Sequence, residues 1–149
     1  MARNHIVIDA PPDAVYDVLT DAHAYPEWVV GAKAIRGVDR GWPRTGTRMH
    51  HKVGAGLLDI EDETSIVGKR RHRRVELEVK IRPVGIGHVV LDLKPKAGGR
   101  RTKVTMTERL TDGPAGHLWN PVLSAAIRVR NAISLRRLRR LVASRNGRR

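Results

Sequence analysis

The segment from Val75 to Ile81 constrains the fold of this chain more than any other part of its sequence. Apolar residues, including Leu77 and Val79, alternate strictly with charged ones along it. A period of two is the side-chain period of a β-strand, so one face of this strand is buried and the other is in water. The segment therefore predicts an antiparallel sheet with one solvated face.

Alternation and turn residues continue on both sides of this segment, from Lys33 to Leu110. Short alternating runs separated by Gly-rich and Pro-rich breaks are typical of antiparallel strands joined by hairpins. The predicted strands are 34–39, 47–53, 57–67, 73–82, 87–93 and 103–110.

A strand and two short helices are predicted before this sheet region. Residues 3–9 are rich in β-branched side chains and end at consecutive prolines, which cannot donate to a strand ladder. Pro12 and Asp13 suit the first turn of a helix, which is predicted to reach Thr20. A second helix is predicted over 25–30, where Pro26 opens it.

The C-terminal region predicts one long helix, over 118–143, which would be nearly 40 Å long at about 1.5 Å per residue. Steps of roughly 100° per residue gather its apolar side chains on one side, and we expect the helix to pack on the sheet by that stripe. The stripe consists of Trp119, Val122, Leu123, Ala126, Val129 and Ile133. Residues 1–143 are predicted to form a single domain, and 144–149 a disordered basic tail.

Composition limits the chemistry. The chain has no cysteine, which excludes disulfides and thiolate catalysis. It has neither a run of about 18 apolar residues nor a signal peptide, so a cytoplasmic location is expected. No nucleotide-binding or metal-binding motif occurs, so neither a cofactor nor a metal is predicted. A net charge of +14, with no acidic residue after Asp112, would attract polyanions or an anionic membrane. Nucleic acid is not expected, because the chain has no Phe and few other aromatic residues for base stacking.

The stretch from Ile8 to Gly31 resembles the opening of the START-like, or SRPBCC, superfamily of polyketide cyclase/dehydrase-like proteins. An Ala-Pro turn, a Val-aromatic-x-Val-Leu helix and a Tyr-Pro-x-Trp helix occur in the family's order. The GTR at 46–48 and the TKVT at 102–105 are similar to later family signatures. The resemblance implies an α+β helix-grip fold, in which a curved seven-stranded antiparallel sheet wraps around a long C-terminal helix and two short helices follow the first strand.

The resemblance also implies a cavity between sheet and helix, although the superfamily includes cyclases, hormone receptors and lipid carriers, so the chemistry stays open. We expect binding of a small hydrophobic ligand of lipid, polyketide, sterol or quinone-like type. One alternative is a polyketide cyclase, aromatase or dehydrase. Another is a module that binds polyanions or an anionic membrane surface through the Arg-rich helix. The oligomeric state stays open.

Site candidates follow from the residues expected on the sheet face toward the helix. Four polar ones, His51, Asp62, Thr64 and Glu108, would converge on a mostly apolar pocket. Arg130 falls within the apolar stripe, so it either pairs with Asp62 or Glu108, binds an anionic group of the ligand, or extends to the rim. His51, Asp62, Glu108 and Arg130 are the candidate acid–base groups of an enzyme. The predicted ligand-binding residues are Met49, His51, Ile60, Asp62, Thr64, Leu77, Val79, Leu91, Met106, Glu108, Trp119, Leu123, Ala126 and Arg130.

Overall fold

The computed structural model describes residues 1–55, 58–81, 85–112 and 121–147, without the side chains of 52–55, 58–61, 81, 111, 112 and 123. These residues contain seven strands: β1 (Ala2–Ile8), β2 (Ala32–Val38), β3 (Arg48–Ala55), β4 (Leu58–Arg70), β5 (Arg74–Ile81), β6 (Gly85–Lys96) and β7 (Arg101–Asp112). All pairings are antiparallel, in the order β1-β7-β6-β5-β4-β3-β2. The predicted strands therefore form one continuous, curved, open sheet.

The helices are α1 (Pro12–Leu19), α2 (Tyr25–Trp28) and α3 (Pro121–Asn146), with a 3₁₀ turn at Ala22–Ala24. The long helix α3 contacts β1, α1 and α2. The predicted α+β helix-grip fold is confirmed. Within the described residues, none of the helices combines the length and apolar character needed to cross a membrane.

Strand β5 shows why the sheet has one buried face. Val75, Leu77 and Val79 are buried, while the intervening charged residues are partly exposed, as the alternation predicts. Cross-strand pairing extends the apolar face, because Leu77 lies opposite Val89 and Ile66. The buried face of the sheet thus carries a row of apolar side chains that crosses β4, β5 and β6.

The turn into α1 follows from its prolines. Pro11 has an extended backbone and caps the helix, and Pro12 stands in the first turn, where a missing N–H costs nothing. The carboxylate of Asp13 accepts a hydrogen bond of 2.9 Å from the backbone N–H of Ala14, next to the positive end of the helix dipole. The predicted helix start is correct, and the 3₁₀ turn lies between the two predicted helices.

The predicted packing face of α3 was wrong. Val122 is 79% exposed and Val129 is 61% exposed, whereas Leu135, Leu138 and Val142 are buried. At about 100° per residue, the buried face lies roughly opposite the predicted stripe. Leu135, Leu138 and Val142 belong to the hydrophobic core together with residues of α1, α2 and the sheet.

The end of α3 also differs from the prediction. The helix continues to Asn146, so residues 144–146, assigned to a disordered tail, are helical. Arg145 lies in this last turn, and its Nη1 donates a hydrogen bond of 2.9 Å to Asp21 beyond the end of α1. Strands β6 and β7 also extend beyond their predicted ends, and Pro95 pairs with Thr102 near the end of their ladder. A proline is tolerated at that position, because the N–H that it lacks is not needed at the end of a strand.

Candidate ligand-binding site

A cavity lies between the concave face of the sheet, α2 and α3. Its volume is about 20 Å³, which is room for about one water molecule. The lining is mostly apolar and aromatic, and its two charged members are a glutamate and an arginine. The lining residues are Tyr25, Trp28, Val29, Leu77, Val79, Val89, Leu91, Met106, Glu108 and Arg130.

Glu108 anchors the charged side of the cavity. Glu108 is 5% exposed, and its Oε2 accepts a hydrogen bond of 2.8 Å from Asn131 Nδ2 on the buried face of α3. Its Oε1 lies 3.6 Å from Arg130 Nη1. Removing one partner of a buried charge is costly, so this arrangement fixes the carboxylate in position on β7.

Arg130 lies at the border between the cavity and solvent. Its side chain is 35% exposed, and its Nε donates a hydrogen bond of 3.2 Å to the carbonyl of Val30. The backbone N–H of Val30 in turn donates to the hydroxyl of Ser134, at 3.1 Å. Of the partners predicted for Arg130, the structure supplies Glu108, and the guanidinium links α3 to the segment after α2.

Trp28 adds a donor to the cavity wall. It is 1% exposed, and its Nε1 has no hydrogen-bond partner among the described residues. A buried N–H without a partner costs about 1–3 kcal/mol relative to a paired one. The residues that line the cavity therefore include two with N–H donors, Trp28 and Arg130, and one with a carboxylate acceptor, Glu108.

A second buried polar group lies beside the cavity on β3 and β4. His51 Nε2 and Thr64 Oγ1 are 2.7 Å apart, and both residues are buried. The ring of Tyr25 packs against that of His51, with centroids 5.3 Å apart. Asp62 is buried as well and lies opposite His51 in the ladder. These groups surround one side of Tyr25, which joins them to the cavity.

Burial sets the protonation of this second group. It lowers the pKa of His51 to about 4, with Arg36 and His50 acting in the same direction, so the imidazole is neutral at pH 7. Burial also raises the pKa of Tyr25, although its hydrogen bond with Thr64 opposes the shift. Both rings are uncharged near neutral pH, which suits an apolar interior.

The structure brings together six of the predicted ligand-binding residues at the cavity wall. They are Leu77, Val79, Leu91, Met106, Glu108 and Arg130. Four others are buried on the same sheet face beside the cavity and do not line it, namely Met49, His51, Asp62 and Thr64.

The remaining predicted residues lie elsewhere. Ala126 is exposed, so its assignment to the site was wrong, because the face of α3 that carries it points away from the sheet. Trp119 and the side chains of Ile60 and Leu123 lie outside the described residues.

Four lining residues, Tyr25, Trp28, Val29 and Val89, and the positioning residue Asn131 were not among the predicted ligand contacts. Tyr25 and Trp28 belong to the Tyr-Pro-x-Trp motif, so the sequence carried a signal for them. Asn131 carried none, because a polar residue within a helix is ordinarily read as exposed. Among the described residues, no group of three or more His, Asp or Glu side chains is placed to hold a metal ion.

Solved structures with the same fold resemble the chain at low sequence identity. TTHA0849 from Thermus thermophilus is 19% identical, with 96% of this chain and 97% of that chain covered and a TM-score of 0.67. Ara h 8.0201 is 13% identical, with 95% and 96% covered and a TM-score of 0.70. DynU16, a protein of the dynemicin biosynthetic locus, is 18% identical, with 95% of this chain and 46% of that chain covered and a TM-score of 0.68.

No curated protein matches the sequence. A family model described as "Polyketide cyclase / dehydrase and lipid transport" matches residues 2–143, which is nearly the whole chain. This match and the structural neighbours confirm the resemblance to the START-like superfamily. The chain therefore belongs to the polyketide cyclase / dehydrase and lipid transport family.

Proposed function

We propose that the protein binds a small apolar molecule, of lipid, polyketide, sterol or quinone-like type, between the concave face of the sheet and α3. One observation carries the proposal: a cavity with eight apolar or aromatic lining residues meets only two charged ones, Glu108 and Arg130. Ligand pockets have this composition, with a few polar groups that fix orientation in a mostly apolar wall. The family description, which includes lipid transport, supports it.

Ligand entry requires the cavity to expand. Its volume of about 20 Å³ is far below the roughly 300–1,000 Å³ of a pocket for a drug-sized molecule. Arg130 is the only partly exposed residue among the described lining residues, and its contacts are a hydrogen bond of 3.2 Å to Val30 and the ion pair of 3.6 Å with Glu108. Asn131 keeps its hydrogen bond to Glu108 when the guanidinium moves, which lowers the cost of breaking that ion pair. We expect the ligand to displace this side chain and to separate α2 from α3.

The polar lining orients the ligand. A carbonyl or hydroxyl oxygen can accept from Trp28 Nε1, which has no acceptor among the described residues, and from Arg130 once it has moved. The hydrocarbon part then lies along Leu77, Val89 and Leu91. An oxygenated apolar molecule fits these groups better than a pure hydrocarbon, because it pairs the buried donor.

The cytoplasmic location stays a prediction.

Uptake of N-phenyl-1-naphthylamine tests this proposal, because the probe is neutral and fluoresces in apolar surroundings. Its neutrality matters for a chain of net charge +14, which would collect an anionic dye on its surface. Two substitutions on β6 form a matched pair. Val89→Phe fills the cavity, whereas Val90→Phe adds the same ring to a partly exposed neighbouring position outside the lining.

We expect one probe molecule to bind per wild-type chain, with affinity at least 10-fold lower in Val89→Phe and unchanged in Val90→Phe. Circular dichroism checks that both variants fold. If the wild-type chain takes up no probe, or folded Val89→Phe binds it as well as the wild type, the cavity is not the binding site.

A second candidate function is cyclase or dehydrase chemistry, which the other part of the family description favours. The cavity wall supplies a carboxylate, Glu108, that can accept a proton from the carbon atom next to a substrate carbonyl. It also supplies a guanidinium, Arg130, that can stabilise the negative charge on the resulting enolate oxygen. His51 is less suited, because it bonds to Thr64 and does not line the cavity.

The enzyme hypothesis predicts that Glu108→Gln lowers turnover of a poly-β-keto thioester by roughly 100-fold or more, the usual contribution of a general base, while probe binding changes little. Turnover that survives in this variant would exclude Glu108 as the base. Absence of turnover in the wild type, together with probe binding, would favour a carrier.

A further inference from the structure

The side of α3 that faces away from the sheet is apolar over its N-terminal half. Val122 is 79% exposed, Val129 is 61% exposed and Ile133 is 37% exposed. Ala126 is exposed between them. At about 100° per residue these side chains fall on one side of the helix, so they form a continuous stripe that no other part of the described chain covers.

The same side continues as a cationic surface over the C-terminal half. Arg136, Arg137 and Arg140 are exposed and fall within about 60° of the stripe direction. The helix contains no acidic residue, since the last one in the sequence is Asp112. We call the whole side the α3 face; it consists of Val122, Ala126, Val129, Ile133, Arg136, Arg137 and Arg140.

We propose that the α3 face is a docking surface for a bilayer that contains anionic lipid. A helix with exposed apolar and arginine side chains lies in the plane of a membrane interface, where the apolar groups enter the acyl boundary and the arginines meet lipid phosphates. A second copy of the chain carries the same net charge of +14 and would place its arginines against arginines or against the apolar stripe. Nucleic acid would use the arginines and leave the apolar stripe in water. A bilayer is the partner that satisfies both halves.

The position of the cavity agrees with this docking. Arg130, which borders the cavity, is the neighbour of Val129 and lies between the α3 face and the buried side of the helix. Docking by the α3 face would therefore bring the cavity border close to the membrane. This inference goes beyond ligand binding and does not depend on it.

Co-flotation with vesicles tests the proposal, using neutral phosphatidylcholine vesicles and others that contain about 30% phosphatidylserine, enough to give the surface a negative potential. The charge variant replaces Arg136, Arg137 and Arg140 with Gln. Its control replaces Arg70, Arg71 and Arg73, which are also exposed, and changes the net charge equally. The apolar variant is Val122→Ser with Val129→Ser, and its control is Val67→Ser, at a residue that is 41% exposed on β4.

We expect the wild type to bind the anionic vesicles only, and the charge variant to bind them roughly 100-fold less tightly, at roughly five-fold per arginine. The apolar variant should lose at least five-fold, and both controls should stay within about two-fold of the wild type. If the charge variant and its arginine control lose the same amount of vesicle binding, the binding depends on net charge and not on the α3 face, which would overturn the proposal. Unchanged binding in the apolar variant, or wild-type binding to duplex DNA but not to vesicles, would also overturn the proposal. Uptake of N-phenyl-1-naphthylamine should be normal in all variants, which separates this result from the test of the cavity.

Discussion

Two valines of α3 provide a matched test of which side of the helix packs on the protein. Val142 is 1% exposed and Val129 is 61% exposed. Val→Ala removes two carbon atoms at either position, and the loss from a buried site is about 1.6 kcal/mol at about 0.8 kcal/mol per carbon, with a further cost for the cavity left behind. Alanine is the better helix former, which returns about 0.5 kcal/mol at both positions.

The structure therefore predicts that Val142→Ala lowers the free energy of unfolding by about 1.5–2 kcal/mol, and that Val129→Ala leaves it unchanged or raises it by about 0.5 kcal/mol. Urea unfolding followed by circular dichroism measures both values, provided that the slope of the transition is the same in all three proteins. A loss at Val129 equal to or greater than that at Val142 would refute the orientation of α3, and would return the helix to the stripe predicted from the sequence.

Two further predictions concern the buried polar groups. The pKa of His51 is about 4 in the folded protein and 6.5 ordinarily, so the unfolded chain takes up the proton first as the pH falls. The contribution of this residue to the free energy of unfolding is therefore complete above about pH 6.5 and is lost as the pH falls toward 4. Urea unfolding should show a loss of about 2 kcal/mol between pH 7 and pH 5 that His51→Gln lacks, and equal slopes in the two proteins would contradict the burial of a neutral imidazole. Asn131→Ala removes the hydrogen bond of 2.8 Å to Glu108 and should cost about 2 kcal/mol, whereas Arg145→Ala, which breaks a partly exposed pair of 2.9 Å with Asp21, should cost less than about 1 kcal/mol. If Arg145→Ala lowered the free energy of unfolding more than Asn131→Ala, the hydrogen bond from Asn131 would not be needed to stabilise the buried carboxylate of Glu108.

The sheet and its inward face could be predicted from the sequence, because alternation along a strand reports burial directly. Val75, Leu77 and Val79 are an example, since each is buried and each neighbour is partly exposed. Once that face is assigned, Leu91, Met106 and Glu108 follow from the same alternation on β6 and β7. Alternation along the strands therefore accounts for five of the six predicted residues that line the cavity, and Arg130 on α3 is the sixth.

The rotation of α3 could not be predicted in the same way, because apolar residues occur on two sides of the helix. Val122, Val129 and Ile133 lie on one side, and Leu135 and Leu138 lie on the other. The packed side also contains polar Asn131 and Ser134, whose burial is satisfied by Glu108 and by the backbone of Val30. A count of apolar residues cannot detect such partners, since they lie more than 20 residues away in sequence.

Nuclear Overhauser effects between bound N-phenyl-1-naphthylamine and the protein methyl groups test the central claim most directly. If the ligand lies between the sheet and α3, the probe should show contacts to the methyl groups of Leu77, Val89, Leu91 and Met106, which line the cavity. Contacts confined to Val67 or Val129, which are exposed, would place the probe on the surface and contradict the account.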